Sequence, residues 1–317
     1  MSLLEVRDLV TEFQTRDGVV RAVNGVSFSL EKGEVLGLVG ESGSGKSVTG
    51  FSILGLVDPP GRIAGGSVRF RGEELRGMPE EALRRLRGRR LAMVFQDPMM
   101  TLNPVLSIET QMVETVLAHE HVTRQAARRR SVEALGKVGI ADPEARLAAY
   151  PHQFSGGMRQ RVAIAIALLH GPDLIIADEP TTALDVTVQG QILHEMQTLV
   201  RETGAALVWI THDLAVIAGL ADRVAVMYAG RIVEEGTVAE VLDAPLHPYT
   251  RGLLESVPAN NATGRALRQI PGMTPSLLRL PPGCAFRERC SRASERCTTL
   301  PELAGRVRCH HPHARAA

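Results

Sequence analysis

Gly40-Glu41-Ser42-Gly43-Ser44-Gly45-Lys46-Ser47 is the segment that most restricts what this chain can fold into. It fits the spacing G-x-x-x-x-G-K-[ST], in which each position has a physical task. Gly40, Gly43 and Gly45 let the backbone curl so that successive N–H groups turn inward and make an anion nest, with Ser42 and Ser44 completing the loop. A helix opening behind the loop adds the positive end of its dipole at the same point. Lys46 is placed to bridge two phosphate oxygens and Ser47 to set a hydroxyl on Mg²⁺. The flanks agree. The apolar run Val35–Val39 predicts a buried strand, and Val48–Leu54 predicts a helix. Glycine is 30 of 317 residues, so an accidental match arises on the order of once in several hundred such chains. The loop predicts a site for ATP or another nucleoside triphosphate.

A triphosphatase needs a carboxylate for the metal from a second strand. The apolar run Leu174–Ala177 ends in Asp178-Glu179. Asp178, at the carboxyl end of a predicted parallel strand, stands where such sheets bind ligands, and is expected to hold Mg²⁺ through water. Glu179 then lies beside the terminal phosphate and can polarise an attacking water. A second Ser/Gly segment, Phe154-Ser155-Gly156-Gly157-Met158-Arg159-Gln160-Arg161, opens another helix. Ser155 suits an N-cap, and Gly156 and Gly157 allow close backbone approach, making a further anion site. One nucleotide needs one cradle, so this second one is expected to serve a nucleotide held by another subunit.

The coarse pattern is α/β. Residues 1–30 alternate and turn at Arg16-Asp17-Gly18, which predicts antiparallel strands. Gly65–Gly72 and Leu91–Phe95 read as strands. Residues 105–170 read as helical. Leu174–Asp178 and Ala206–Ile210 are short apolar runs with helical stretches between, the pattern of a parallel sheet covered by helices. After about residue 240 proline and glycine rise and periodicity fades, which predicts a domain boundary. With 44% hydrophobic and only 3% aromatic residues, aliphatic side chains must fill the core. Lys+Arg 36 against Asp+Glu 35 gives a net charge of +1, so no nucleic-acid partner is expected. The basic clusters at Arg84–Arg90 and Arg128–Arg130 read as solvated helix faces. No signal peptide and no apolar run of membrane-spanning length is seen, so a soluble cytosolic chain is expected, with any spans supplied by other chains.

These motifs, in this order over most of the first 240 residues, resemble the ATPase subunits of ABC transporters. Gly40–Ser47 looks like the Walker A loop, Ser155–Gln160 like the signature (with Phe154 where the consensus has Leu), and Leu174–Glu179 like Walker B. The resemblance implies that Gln96 is the Q-loop glutamine and an Mg²⁺ ligand, that Ala183-Leu184-Asp185 is the D-loop and that His212 is the switch histidine. It also implies an aromatic residue under the adenine, for which Phe13 is the best candidate. The implied fold is a P-loop ATPase with a RecA-like parallel core, an N-terminal antiparallel β subdomain and a helical subdomain at about 97–170. Together they make a nucleotide-binding domain over 1–240, followed by a small irregular domain over 241–317. Pro245–Thr250 and Pro282–Phe286 resemble the oligopeptide/dipeptide importers, and Thr187–Gln191 with Ala215–Ala218 their D-type subunit; nickel and glutathione importers share much of this pattern. A soluble ABC ATPase of repair or translation is the rival, without the insertion or tandem cassette it would need. The implied partners are two membrane permeases, a second ATPase (an F-type paralogue or another copy) and, indirectly, an extracytoplasmic peptide-binding protein. The implied location is peripheral, on the cytoplasmic face of the plasma membrane.

The four cysteines, Cys284, Cys290, Cys297 and Cys309, all lie in the tail. Clustered cytosolic cysteines suggest metal ligation. None forms the short knuckle of structural zinc. Four thiolates on irregular loops suit a [4Fe–4S] cluster, zinc is the second choice, and free thiols or an air-formed disulfide remain open. The resemblance favours iron–sulfur. Every phosphate-site motif lies before residue 213, so the cluster is expected not to touch hydrolysis directly.

Overall fold

The computed structural model describes residues 2–182, 186–257 and 268–314. The elements in chain order are β1 (Leu4–Thr15), β2 (Gly18–Leu30), β3 (Val35–Val39), α1 (Lys46–Leu54), β4 (Gly61–Phe70), β5 (Glu73–Glu74), α2 (Glu80–Leu86), β6 (Leu91–Val94), α3 (Ile108–Leu117), α4 (Arg124–Lys137), α5 (Pro143–Arg146), α6 (Gly156–Leu168), β7 (Leu174–Asp178), α7 (Val186–Thr203), β8 (Ala206–Thr211), α8 (Leu214–Leu220), β9 (Arg223–Tyr228), β10 (Arg231–Thr237), α9 (Val238–Leu242) and α10 (Pro248–Glu255). They fall into two compact units. One holds the residues up to Leu30, Val35–Arg76 and Trp209 onward; the other holds Glu31–Glu34 and Gly77–Val208.

In the first unit β2, β1, β4 and β5 make an antiparallel sheet. The turn expected at Arg16-Asp17-Gly18 joins β1 to β2, with Thr15 opposite Gly18 and Leu4 opposite Leu30. Leu4, Val6, Leu9, Val26, Phe28, Val68 and Phe70 are buried from this sheet. The register slips after Arg7, where Asp8 takes a φ of +46°. Gly66 faces that slip at φ +85°, and a Cβ there would lie 2.5 Å from the carbonyl oxygens of Arg7 and Asp8, so the bulge requires glycine. The same unit pairs β3 parallel with β9 and β9 antiparallel with β10. All five residues of β3 are buried, as the apolar run predicts. Burial of each large side chain contributes about 1.5–3 kcal/mol before the entropy of ordering is subtracted.

The C-terminal stretch belongs to this unit. Val307 bridges antiparallel to Glu234 of β10, and Arg308 N–H donates to Val233 O at 2.8 Å. Glu234 is fully buried. It is satisfied by the N–H groups of Leu246 (2.7 Å) and His247 (2.8 Å) and by Arg306 at 2.8 Å. Removing Arg306 would therefore leave a buried, uncompensated carboxylate.

In the second unit β6 and β7 pair parallel, Leu91 opposite Leu174 and Val94 opposite Ala177. The helical stretch expected over 105–170 contains α3, α4, α5 and α6. Ser107, Thr123 and Ser155 cap their helices by accepting N–H bonds with their side-chain oxygens. The arginine clusters are largely paired: Arg128 with Glu109 and Glu144, Arg130 with Glu120, Arg85 with Glu81, and Arg87 with Glu80. No helix among the described residues is long and apolar enough to cross a membrane.

Candidate functional site

The phosphate loop leaves the carboxyl end of β3 and runs into α1. Gly40, Gly43 and Gly45 have φ of +156°, +78° and +102°. At Gly40 a Cβ would lie 2.3 Å from Met227 O, and at Gly45 2.2 Å from Ala22 O. The loop is thus pressed against β9 and β2, and only glycine fits at these two turns. Gly230 N–H donates to Ser44 O and Asn24 N–H to Gly230 O, at 2.9 and 2.8 Å, which locks the loop to the strands. Thr49 closes the first helical turn by donating to Gly45 O at 2.9 Å. Lys46 is 4% exposed. Its ammonium donates to Gly40 O at 2.8 Å and Glu41 O at 3.1 Å, so it is held over the loop rather than trailing into solvent. The hydroxyl of Ser44 is buried without a hydrogen-bond partner, a donor suited to a phosphate oxygen. Ser42 and Ser47 flank it in the same turn, and Val48 follows within α1.

Phe13 lies in β1, half-buried. Its ring packs on Gly61, where a Cβ would come within 2.6 Å of the ring edge. His212 follows β8 directly and is exposed. Thr211 accepts the N–H of Asp213 at 3.0 Å, and Asp213 caps α8 through Ala215 N–H at 2.8 Å, so His212 stands on a tightly held turn.

The second unit carries the other motif residues. β7 ends in Asp178, which is buried. Glu179 follows with a φ of +44°, a left-handed backbone that costs energy for a non-glycine residue and collects at functional positions. Thr182 donates to Glu179 Oε2 at 3.0 Å, orienting the carboxylate. Asp185 lies outside the described residues. Ser155 and Gly156 are exposed, Gly157 half-buried, at the N-terminus of α6. This leaves that end open to an anion from outside. Gln160 of α6 is buried and donates to Phe95 O at 3.3 Å, so α6 is tied to the residue before Gln96, itself exposed.

Where sequence reasoning falls short is in the tail. It names no contact between the tail and the phosphate loop, yet Arg289 and Tyr249 reach Glu41 inside that loop. Arg289 donates to Glu41 Oε2 at 2.6 Å and Oε1 at 2.9 Å, and Thr274 donates to Oε2 at 2.8 Å. The N–H of Glu41 donates to the Tyr249 hydroxyl at 2.8 Å. The contact spans 248 residues of sequence, and no local pattern announces it. His247 makes the turn that delivers Tyr249: its Nδ1 accepts Tyr249 N–H at 3.0 Å. Burial holds its imidazole down to about 3, so it is neutral.

The four cysteines line one cavity together with His247, Phe286, His310 and His311. Gly283, at φ +80°, has the carbonyl oxygen of Cys297 2.4 Å from where a Cβ would be, and Cys284 N–H donates to Cys297 O at 3.0 Å. Burial, then the neighbouring cysteines, pushes the Cys284 thiol up, and Cys309 up to about 11. Thiols raised in this way are protonated and neutral, and a bound metal would favour their thiolate forms. Among the described residues no group of three or more His, Cys, Asp or Glu is arranged to cage a metal ion.

Comparison with known proteins agrees with this geometry. Residues 23–182 match the ABC transporter family and residues 233–297 the oligopeptide/dipeptide transporter C-terminal region. The oligopeptide transport ATP-binding protein OppD of Escherichia coli is 51% identical over 95% of this chain and 89% of its own length. The dipeptide transport ATP-binding protein DppD of Bacillus subtilis is 50% identical over 91% of this chain and 86% of its own. A dimeric ATP-binding cassette solved in a post-hydrolysis state with ADP and phosphate superposes with a TM-score of 0.67 at 26% identity, covering 74% of this chain and 98% of that one. The chain belongs to the ABC transporter ATPase family, in the branch that carries the oligopeptide/dipeptide transporter C-terminal region.

Proposed function

We propose that this chain is the ATP-hydrolysing subunit of a membrane importer for peptides, working on the cytoplasmic face of the membrane. The observation that carries the reading is one chain joining a glycine-locked phosphate loop with a buried lysine to the C-terminal region typical of peptide importers. Lys46 would neutralise the β- and γ-phosphates, and Ser47, Asp178 and Gln96 are the residues that would hold Mg²⁺. Phe13 supports the adenine, with Ser42, Ser44 and Val48 along the loop. Glu179 polarises the attacking water, His212 contacts the terminal phosphate, and Asp185 acts at the dimer seam. Ser155, Gly156 and Gly157 present their helix N-terminus to the nucleotide of a second ATPase, a paralogue or another copy. Head-to-tail closure of the two moves two permeases, and hydrolysis resets them; a peptide-binding protein outside delivers cargo.

The chain needs a face for the permease. After Gln96, Met100 is 65%, Val105 75% and Leu106 39% exposed, an apolar strip suited to an inserted helix. Leu102 is 1% exposed, so it belongs to the core and not to the strip. Cysteine at 100 or 105, in the chain co-assembled with its permeases in vesicles, should crosslink to a permease cytoplasmic loop, and the vesicles should take up peptide on ATP addition. Crosslinks confined to the chain itself, with no uptake of any peptide, would overturn the importer reading.

Cys284, Cys290, Cys297 and Cys309 would hold a [4Fe–4S] cluster in this reading, and it would serve as a four-thiolate staple for a tail without its own core. The convergence of the four cysteines on one cavity supports it. Anaerobically purified protein should be brown with about four irons per chain, and Cys290→Ser should bleach it. Colourless protein with one zinc, or metal-free protein with four titratable thiols, would each displace the cluster.

A further inference from the structure

Glu41 is an odd residue to find in a phosphate cradle, because its carboxylate is a like charge beside the triphosphate that the loop exists to hold. The structure shows what offsets it. Arg289 grips both carboxylate oxygens in a fork, the geometry that gives the strongest side-chain ion pairs. The Arg289 side chain is 7% exposed and that of Glu41 25%, so the pair is screened far less than a surface one. Arg289 is fixed in turn. Its Nε donates to Pro271 O at 2.9 Å, and its guanidinium lies 5.9 Å from the ring centres of both Tyr228 and Phe286. Tyr249 fixes the backbone of the same loop residue. Partial burial would raise the Glu41 carboxyl, but Arg289, Thr274 and the nearby Lys46 outweigh it and hold it down. The carboxylate is therefore charged and within the field of Lys46.

We propose that Arg289, with Tyr249, is a positioning residue of the ATP site. The tail clamps Glu41, cancels its charge and sets the shape of the phosphate loop, so nucleotide affinity depends on the C-terminal extension. This rests on the reading of Gly40–Ser47 as the ATP cradle. Arg289 directly precedes Cys290, so the clamp belongs to the cysteine-bearing segment, and order there is passed to the loop. Coupling is reciprocal: Mg-ATP on the loop must also steady the tail.

The test is Mg-ATP affinity of the full-length protein, read with thermal stability. Arg289→Met should weaken Mg-ATP binding on the order of tenfold, within the usual range of site-to-site coupling. Glu41→Gln should bind as well as the parent or better. The double variant Arg289→Met/Glu41→Gln should recover most of the loss, because the stranded carboxylate is gone. Arg289→Lys should fall between, keeping charge without the fork. Mg-ATP should slow hydrogen exchange over 271–297 in the parent and not in Arg289→Met. A clamp that is structural only would lower melting temperature while leaving all four affinities within about twofold of one another, below the coupling scale, and that result overturns the proposal. Should Arg289→Met not fold, Arg289→Lys and Glu41→Gln decide it alone: equal affinities and unchanged exchange would overturn it. Failure of the ATP-site reading looks different, since the parent itself would then bind no nucleotide and Lys46→Ala would change nothing.

Discussion

Glu179→Gln is expected to bind Mg-ATP as the parent does and to lose hydrolysis by about 10²–10⁴-fold, the range of a general base. The reason is local. Glu179 leaves the buried end of β7 with a left-handed backbone at φ +44°, and Thr182 holds one of its carboxylate oxygens at 3.0 Å. A carboxylate so oriented, one residue beyond the buried Asp178, is the group proposed to polarise the attacking water. Glutamine keeps size and hydrogen bonding but cannot take up a proton, so the substrate is held and not consumed. Chains that hold ATP without turning it over should accumulate as ATP-bound dimers, visible by size-exclusion chromatography. Near-parent turnover in the assembled transporter would sink the assignment and leave Glu179 as a structural turn residue.

What could be read from the sequence divides by distance along the chain. The phosphate loop was fully legible, because its glycines, lysine and serine are contiguous and the constraint on each is local: Gly45 has a carbonyl oxygen where a Cβ would go. The acidic end of β7 was legible for the same reason, an apolar run closed by two carboxylates. The arginine clusters were read as solvated helix faces, and their pairing with glutamates accords with that. The hairpin of β9 and β10 was not singled out, although β9 packs beside β3 and its Met227 carbonyl closes over Gly40. The contact of the tail with the loop was missed for a related reason. Glu41 occupies a variable position of its motif, and Arg289 stands among charged residues of a stretch without periodicity. Their meeting depends on Glu234 and Arg306 docking the extension on β10, a long-range event with no local signature. Phe13 was named by resemblance, and what the fold shows for it is packing on Gly61.

Lys46→Ala is expected to act earlier in the cycle than Glu179→Gln, weakening Mg-ATP binding itself by about 10- to 100-fold, the worth of hydrogen bonds to charged groups. Lys46 is 4% exposed and its ammonium is held by the carbonyls of Gly40 and Glu41, so its charge is fixed over the loop. Its loss removes the only lysine of the motif and leaves those two carbonyls facing the phosphates. Pairing this variant with Ser155→Arg, which blocks the exposed N-terminus of α6, then tests how two cassettes share nucleotide. Each variant alone damages both sites of a dimer. In a head-to-tail mixed dimer the two lesions fall in one site, and the other keeps an intact Lys46 from one chain and an intact Ser155 from its partner. Mixing two inactive preparations should therefore restore up to one working site in each mixed dimer, measurable as ATP-dependent dimerisation and as hydrolysis rising with the mixed fraction. If Lys46 and Ser155 instead served the same nucleotide within one chain, every site in the mixture would carry a lesion and no ratio of the two variants would recover activity.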